Sequence, residues 1–151
     1  MKELLILFFI VGFSFLNAQT DKLIGVWNTI EVSDDIFIMN ENKEMTLKKK
    51  GRKIYKSADK VSEELLIKYF DNQFIFREDN SFSVLLNQAS GLTVFQGNYR
   101  VDEENKIIYF ELKNNSYPDV EKYFIYSFEN KYLNLEVHFG GEPTRYKLEK
   151  K

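Results

Sequence analysis

The sequence contains no cysteine. That excludes disulfides, thiolate metal sites, a cysteine nucleophile and lipid attachment to an N-terminal Cys. Histidine occurs once, as His138, and proline only as Pro118 and Pro143. Catalytic signatures are missing too: there is no Gly-x-Ser-x-Gly elbow, phosphate loop, His-Glu-x-x-His pair or calcium loop. Adjacent carboxylates occur at Asp34-Asp35, Glu63-Glu64 and Glu103-Glu104, but neighbours on a strand point to opposite faces and form no dyad. A hydrolytic pair would need carboxylates from different strands converging in a cavity, and Glu111 and Glu136 both fall on polar faces. The sequence therefore reads as a non-enzyme without cofactor or metal.

Charge of one sign is also lacking. The 21 basic and 23 acidic residues leave a net charge of −2, which argues against nucleic acid as a partner, since such domains usually carry a basic excess. The one concentration is Lys48-Lys49-Lys50-Gly51-Arg52-Lys53, placed as the tip of a hairpin formed by Met45 to Lys49 and Lys53 to Lys56. A phosphate, anionic lipid or polyanion site competes there with a solvated tip whose charges discourage edge pairing. The absence of interleaved aromatics favours the solvated tip.

The first feature present is a short polar start, Met1-Lys2-Glu3, followed by an almost unbroken apolar run from Leu4 to Leu16. The run falls short of the about 20 residues that a membrane span requires. With Asn17-Ala18-Gln19 after it, the pattern is that of a signal peptide over 1–18 cleaved after Ala18, against the alternatives of a buried strand or an uncleaved anchor. The expectation is an exported protein, periplasmic or secreted, with no stable membrane anchor. Residues 19–151 then form one domain, long enough to bury a core without staples.

From Phe74 onward the chain alternates large apolar and polar residues, with turns rich in Asn, Asp and Gly. The expected strands are Phe74–Phe76, Phe82–Leu86, Leu92–Val101, Ile107–Leu112, Val120–Phe128 and Leu133–Phe139, which makes an all-β, antiparallel up-and-down meander. Alternation assigns Phe82, Val84 and Leu86 to one inward face, with Phe95, Tyr99, Val101, Ile108, Phe110, Leu112, Phe124, Tyr126, Phe128, Leu133, Leu135, Val137 and Phe139. His138 shares the outward face with Asn134 and Glu136. The 14 Phe and 9 Tyr supply the core, each aromatic burying about 150–250 Å².

Ahead of the meander, Leu23 to Val32 reads as a strand and contains Gly25-Val26-Trp27. A Gly-x-Trp opening strand before an antiparallel meander resembles the lipocalin and bacterial lipocalin-like domains. The resemblance implies closure into a lipocalin-like β-barrel of about 8–10 strands. It also implies that Trp27 seals one end under a basic residue of the last strand, for which Arg145 is the counterpart. A long segment between Val32 and Phe74 departs from the family pattern. It holds a short strand at Ile36–Met39 and, over 59–70, either an amphipathic helix spaced on Val61, Leu65 and Tyr69 or a further strand.

The function implied is non-catalytic binding of a small apolar or amphipathic molecule inside the barrel, since a barrel of about eight strands can hold one small ligand. Phe82, Phe95, Tyr99, Phe110, Phe124, Tyr126 and Leu135 are the ligand-binding candidates. The alternative is a protein-interaction or inhibitor-like module of the same fold that uses its outer face, including Tyr55, with no internal ligand and a partner that the sequence leaves unknown.

Overall fold

The computed structural model describes residues 21–54, 72–88, 91–113, 122–138 and 143–151. The signal segment 1–18, Tyr55, the segment 59–70 and Phe139 lie outside these residues. Among the described residues ten strands follow one another: β1 Gly25–Ser33, β2 Phe37–Asn40, β3 Met45–Leu47, β4 Gln73–Phe76, β5 Ser81–Gln88, β6 Gly91–Asp102, β7 Ile107–Leu112, β8 Tyr123–Glu129, β9 Tyr132–His138 and β10 Thr144–Lys150. A short helix, α1 Lys49–Ile54, follows β3.

Each strand from β4 to β10 pairs antiparallel with the next, and β1 bonds to both β4 and β10. The result is a closed up-and-down barrel of eight strands with β2 and β3 added as an extra hairpin. The barrel is lipocalin-like in architecture, as the Gly-x-Trp strand implies. Closure gives each of these eight strands a partner on both sides where its neighbours overlap it, and β6 extends beyond β7 over Gly91 to Gln96.

Two features explain how β1 serves so many neighbours. Its first half, Gly25 to Asn28, pairs with β4, whereas Glu31 to Ser33 pairs with β2. On the other side, the register with β10 shifts between Thr29 and Glu31. An extra residue of this kind bends a strand sharply. Thr29 anchors the bend by donating its N–H and its hydroxyl to Asn72 O, at 3.3 and 3.1 Å.

The tight turns sit where Asn and Asp predict them. Asn80 and Asn130 take positive φ of 60° and 56°, and Lys106 takes 58°. Asp79 and Asp102 accept main-chain N–H bonds from Ser81 and Asn105, at 2.9 and 3.0 Å. These are the local bonds that let such side chains make turns.

The basic stretch departs from the expected hairpin. Met45–Leu47 pairs with β2, and Lys49–Ile54 is a helix. Its packing is set by Gly51, where a Cβ would stand 2.2 Å from Ile36 O. The cations are used locally: Lys48 reaches Asp34 O, Lys50 pairs with Asp35 at 3.2 Å, and Arg52 donates to Leu47 O at 2.8 Å. A small core of Val32, Phe37, Met39 and Leu47 fastens this hairpin to the barrel.

Candidate functional site

The barrel has two ends. At the Trp27 end lie the start of β1, the tight turns of β4–β5, β6–β7 and β8–β9, and the last residues of β10. Trp27 is buried there, its Nε1–H donates to Leu23 O at 2.7 Å, and its ring lies 6.1 Å from that of Phe128. The cation over the ring is Lys150, whose Nζ is 5.5 Å from the centroid. Arg145 does not take this place. It pairs with Ser33 at the opposite end of β10, and its Nε donates to Glu136 Oε2 at 2.7 Å. Register decides the matter, because antiparallel β1 and β10 set Trp27 against Lys150. Gly25 completes the arrangement: a Cβ there would lie 2.4 Å from Lys150 Cε, and its φ of 141° suits glycine.

Most of the candidate ligand-binding side chains fill the middle of the barrel. Phe82 and Phe110 meet at 4.4 Å, Phe110 and Phe124 at 4.1 Å, and Phe124 and Phe74 at 6.0 Å. Phe74 on β4 and Phe124 on β8 come from opposite strands of the circle, so their contact crosses the barrel. Tyr146 adds a further ring, 5.2 Å from Phe74. Gly97 makes this layer fit, since a Cβ there would stand 2.0 Å from Glu111 O and 2.9 Å from the Phe82 ring. Leu135 is buried in the same core.

The two tyrosines of the candidate set differ in their hydroxyls. Tyr99 donates to Arg77 O at 3.1 Å and packs edge-on against Phe76 at 5.2 Å. Tyr126 is buried, and its hydroxyl has no hydrogen-bond partner among the described residues. Burial raises the proton affinity of both phenols. The nearby carboxylates add to this, Asp79 for Tyr99 and Glu103 with Asp102 for Tyr126. Both hydroxyls therefore stay protonated and uncharged at neutral pH.

Phe95 is the exception among the candidates. It lies opposite Val84 in an unbroken β5–β6 register, and Val84 belongs to the barrel core. Cross-strand partners share a face, so Phe95 is on the inner face. It is nevertheless 41% exposed. The reason is the length of β7, which pairs with β6 only as far as Leu112 opposite Gly97. Phe95 thus stands at the far end, beyond the aromatic layer.

An open depression of about 470 Å³ lies elsewhere, at the Trp27 end, lined by Ile24, Gly25, Val26, Ile75, Phe76, Arg77, Glu78 and Asp79. None of the ligand-binding candidates lines it.

The outer face carries a row that sequence reading missed. Arg100, Tyr109, Tyr123 and His138 are successive cross-strand partners on β6 to β9. The Arg100 guanidinium lies 3.8 Å over the Tyr109 ring, and Tyr123 stacks on His138 at 5.0 Å. The signal was present in the strand alternation but needs the register to be seen. His138 Nε2 lies 2.9 Å from Glu136 Oε1. Burial raises the proton affinity of the Glu136 carboxyl, but the bonds from Arg145 and His138 outweigh it and hold the group below its ordinary value. Among the described residues no group of three or more His, Asp or Glu side chains is placed to hold a metal ion.

Together, a closed antiparallel barrel, a Gly-x-Trp strand and a cation over its Trp define a lipocalin-like barrel. In solved structures the chain is similar to a lipocalin-like protein from Bacteroides uniformis ATCC 8492, at TM-score 0.46 and 16% identity, covering 86% of this chain and 99% of that one. It is also similar to a DUF4847 family protein from Bacteroides vulgatus ATCC 8482, at TM-score 0.47 and 15% identity over 84% and 92% of the two chains. An uncharacterized protein from Bacteroides eggerthii DSM 20697 aligns at TM-score 0.44 and 16% identity over 85% and 98%. No family model and no curated protein matches the chain in sequence.

Proposed function

We propose that this is an exported, non-catalytic lipocalin-like protein that takes a small apolar or amphipathic molecule at the far end of its barrel, above the aromatic layer. One observation carries this reading: Phe95 faces inward yet remains 41% exposed. A large apolar ring held in water on a concave face costs solvation that a ligand would relieve. The layer of Phe74, Phe82, Phe110 and Phe124 then acts as a floor. Among the seven candidates, Phe95 touches the ligand and the others support it from below. The test is native mass spectrometry of the protein purified from its own host, with organic extraction of any bound molecule. A stoichiometric apolar adduct supports the reading, and its chemistry names the ligand class.

A second reading uses the outer face. Arg100, Tyr109, Tyr123 and His138 form a row of flat side chains, of the residue types enriched at protein interfaces. Retention of a single protein partner from the native envelope, lost on Tyr123→Ala, would favour it.

A further inference from the structure

From Ser81 to Tyr99 the chain carries no charged side chain, although 29% of its residues are charged. This stretch is the β5–β6 hairpin. β6 pairs with β5 along Gly91 to Asn98, but with β7 only from Gly97 onward. Among the described residues, no strand pairs with the β7-facing edge of β6 from Gly91 to Phe95, and Lys113 N bonds it at Gln96.

The direction of the main-chain groups on that edge follows from two bonds. Gln96 O accepts from Lys113 N on the β7 side at 2.8 Å, while Tyr99 N donates to Asn80 O on the β5 side at 2.8 Å. Residues alternate in this respect along a strand, so Leu92 and Val94 turn their N–H and C=O groups out of the free edge. Their side chains stand on the outer face, 62% and 45% exposed.

We propose that this edge pairs antiparallel with the same edge of a second copy, about a two-fold axis at Thr93, joining two barrels through one continuous sheet. The axis sets Leu92 of each copy opposite Val94 of the other. Their four edge-facing N–H and C=O pairs then bond across the junction, and the exposed side chains cover one another. The absence of charge favours a second copy as the occupant. A two-fold axis brings a short segment against itself, and any charge in it would meet its like within a few ångströms. Natural edges usually carry Lys, Pro or a bulge to block such pairing. Gly91 to Gln96 has no Lys or Pro and an unbroken register with β5. The contrast is β3, which ends the other side of the sheet: it is 3 residues long and runs straight into Lys48, Lys49 and Lys50.

The test is sedimentation velocity of the protein purified from its host, over micromolar to millimolar concentrations. The expected result is a reversible monomer–dimer equilibrium. Leu92→Lys or Val94→Glu should each weaken it about tenfold or more, and the double variant should recover it, because each Lys then faces a Glu of the other copy. Val94→Pro serves if the charged variants fold poorly, since it removes only an edge-facing N–H. It should abolish the dimer while leaving far-ultraviolet circular dichroism unchanged. A wild-type monomer across the whole range overturns the proposal. So does a dimer indifferent to Val94→Pro, or a double variant no tighter than the single ones.

Discussion

Lys150 lies across the ring of Trp27, its Nζ 5.5 Å from the centroid, and the space it crosses exists because residue 25 has no side chain. Gly25, Trp27 and Lys150 thus act as one unit that shuts the Trp27 end. Their contributions differ greatly in size. Trp27 is buried and donates its indole N–H to Leu23 O, so Trp27→Ala should cost about 3–5 kcal/mol. Lys150 is exposed, and Lys150→Ala should cost at most about 1 kcal/mol through the lost cation–π contact. Chemical denaturation of both variants checks the pair; comparable losses would contradict it.

Gly97 is the point where the aromatic layer has no room to spare. A methyl group there meets Glu111 O at 2.0 Å, a main-chain atom held by the β6–β7 ladder. Gly97→Ala should therefore destabilise the domain by about 1–3 kcal/mol, the usual cost of overpacking. Denaturant midpoints measure this directly, and an unchanged or raised midpoint would show that the layer is looser than the geometry implies.

Much of this was legible in the sequence, for local reasons. Alternation assigns Phe82, Phe110, Phe124 and Leu135 to the inner face because the side-chain period of a strand is two. Asn80 and Asn130 mark turns because Asn tolerates positive φ. Three features were beyond such reasoning because register decides them. Lys150 rather than Arg145 covers Trp27, since the pairing of β1 with β10 depends on the irregularity at Thr29 and Glu31. Phe95 is exposed although it shares a face with Tyr99, because β7 stops at Leu112. The basic run is a helix rather than a hairpin tip, since Gly51 docks on Ile36 O, a contact that composition does not encode.

The unpartnered hydroxyl of Tyr126 gives an opposite expectation from that of Tyr99. Removing a buried group that makes no hydrogen bond costs little, whereas removing one that is bonded costs about 1 kcal/mol. Tyr126→Phe should be neutral or stabilising, and Tyr99→Phe, which loses the bond to Arg77 O, should be destabilising. Thermal unfolding of the two variants side by side settles the order. A clear loss in Tyr126→Phe would mean that the hydroxyl is bonded to a water or ligand.

Glu136 ties the far ends of β9 and β10 through Arg145. Its carboxyl titrates below its ordinary value of 4.5 in the folded state. A carboxyl whose folded value is depressed contributes stability above the unfolded value, and that contribution is lost as the pH falls through the folded one. Glu136→Gln should cost about 1 kcal/mol or less near neutrality, as partly exposed pairs do. The difference from wild type should shrink below pH 4.5. A gap that stays constant down to strong acid would show that the pair contributes nothing.

The reading of the far end as a ligand site rests on Phe95. Native mass spectrometry of wild type and Phe95→Asp, both expressed in the protein's own host, tests it most directly. An exposed position tolerates the substitution, so both proteins should unfold at similar denaturant concentrations. The expected result is a stoichiometric apolar adduct on wild type and a bare mass for Phe95→Asp. A bare wild-type mass, or an adduct that survives in Phe95→Asp, would contradict a ligand site at Phe95.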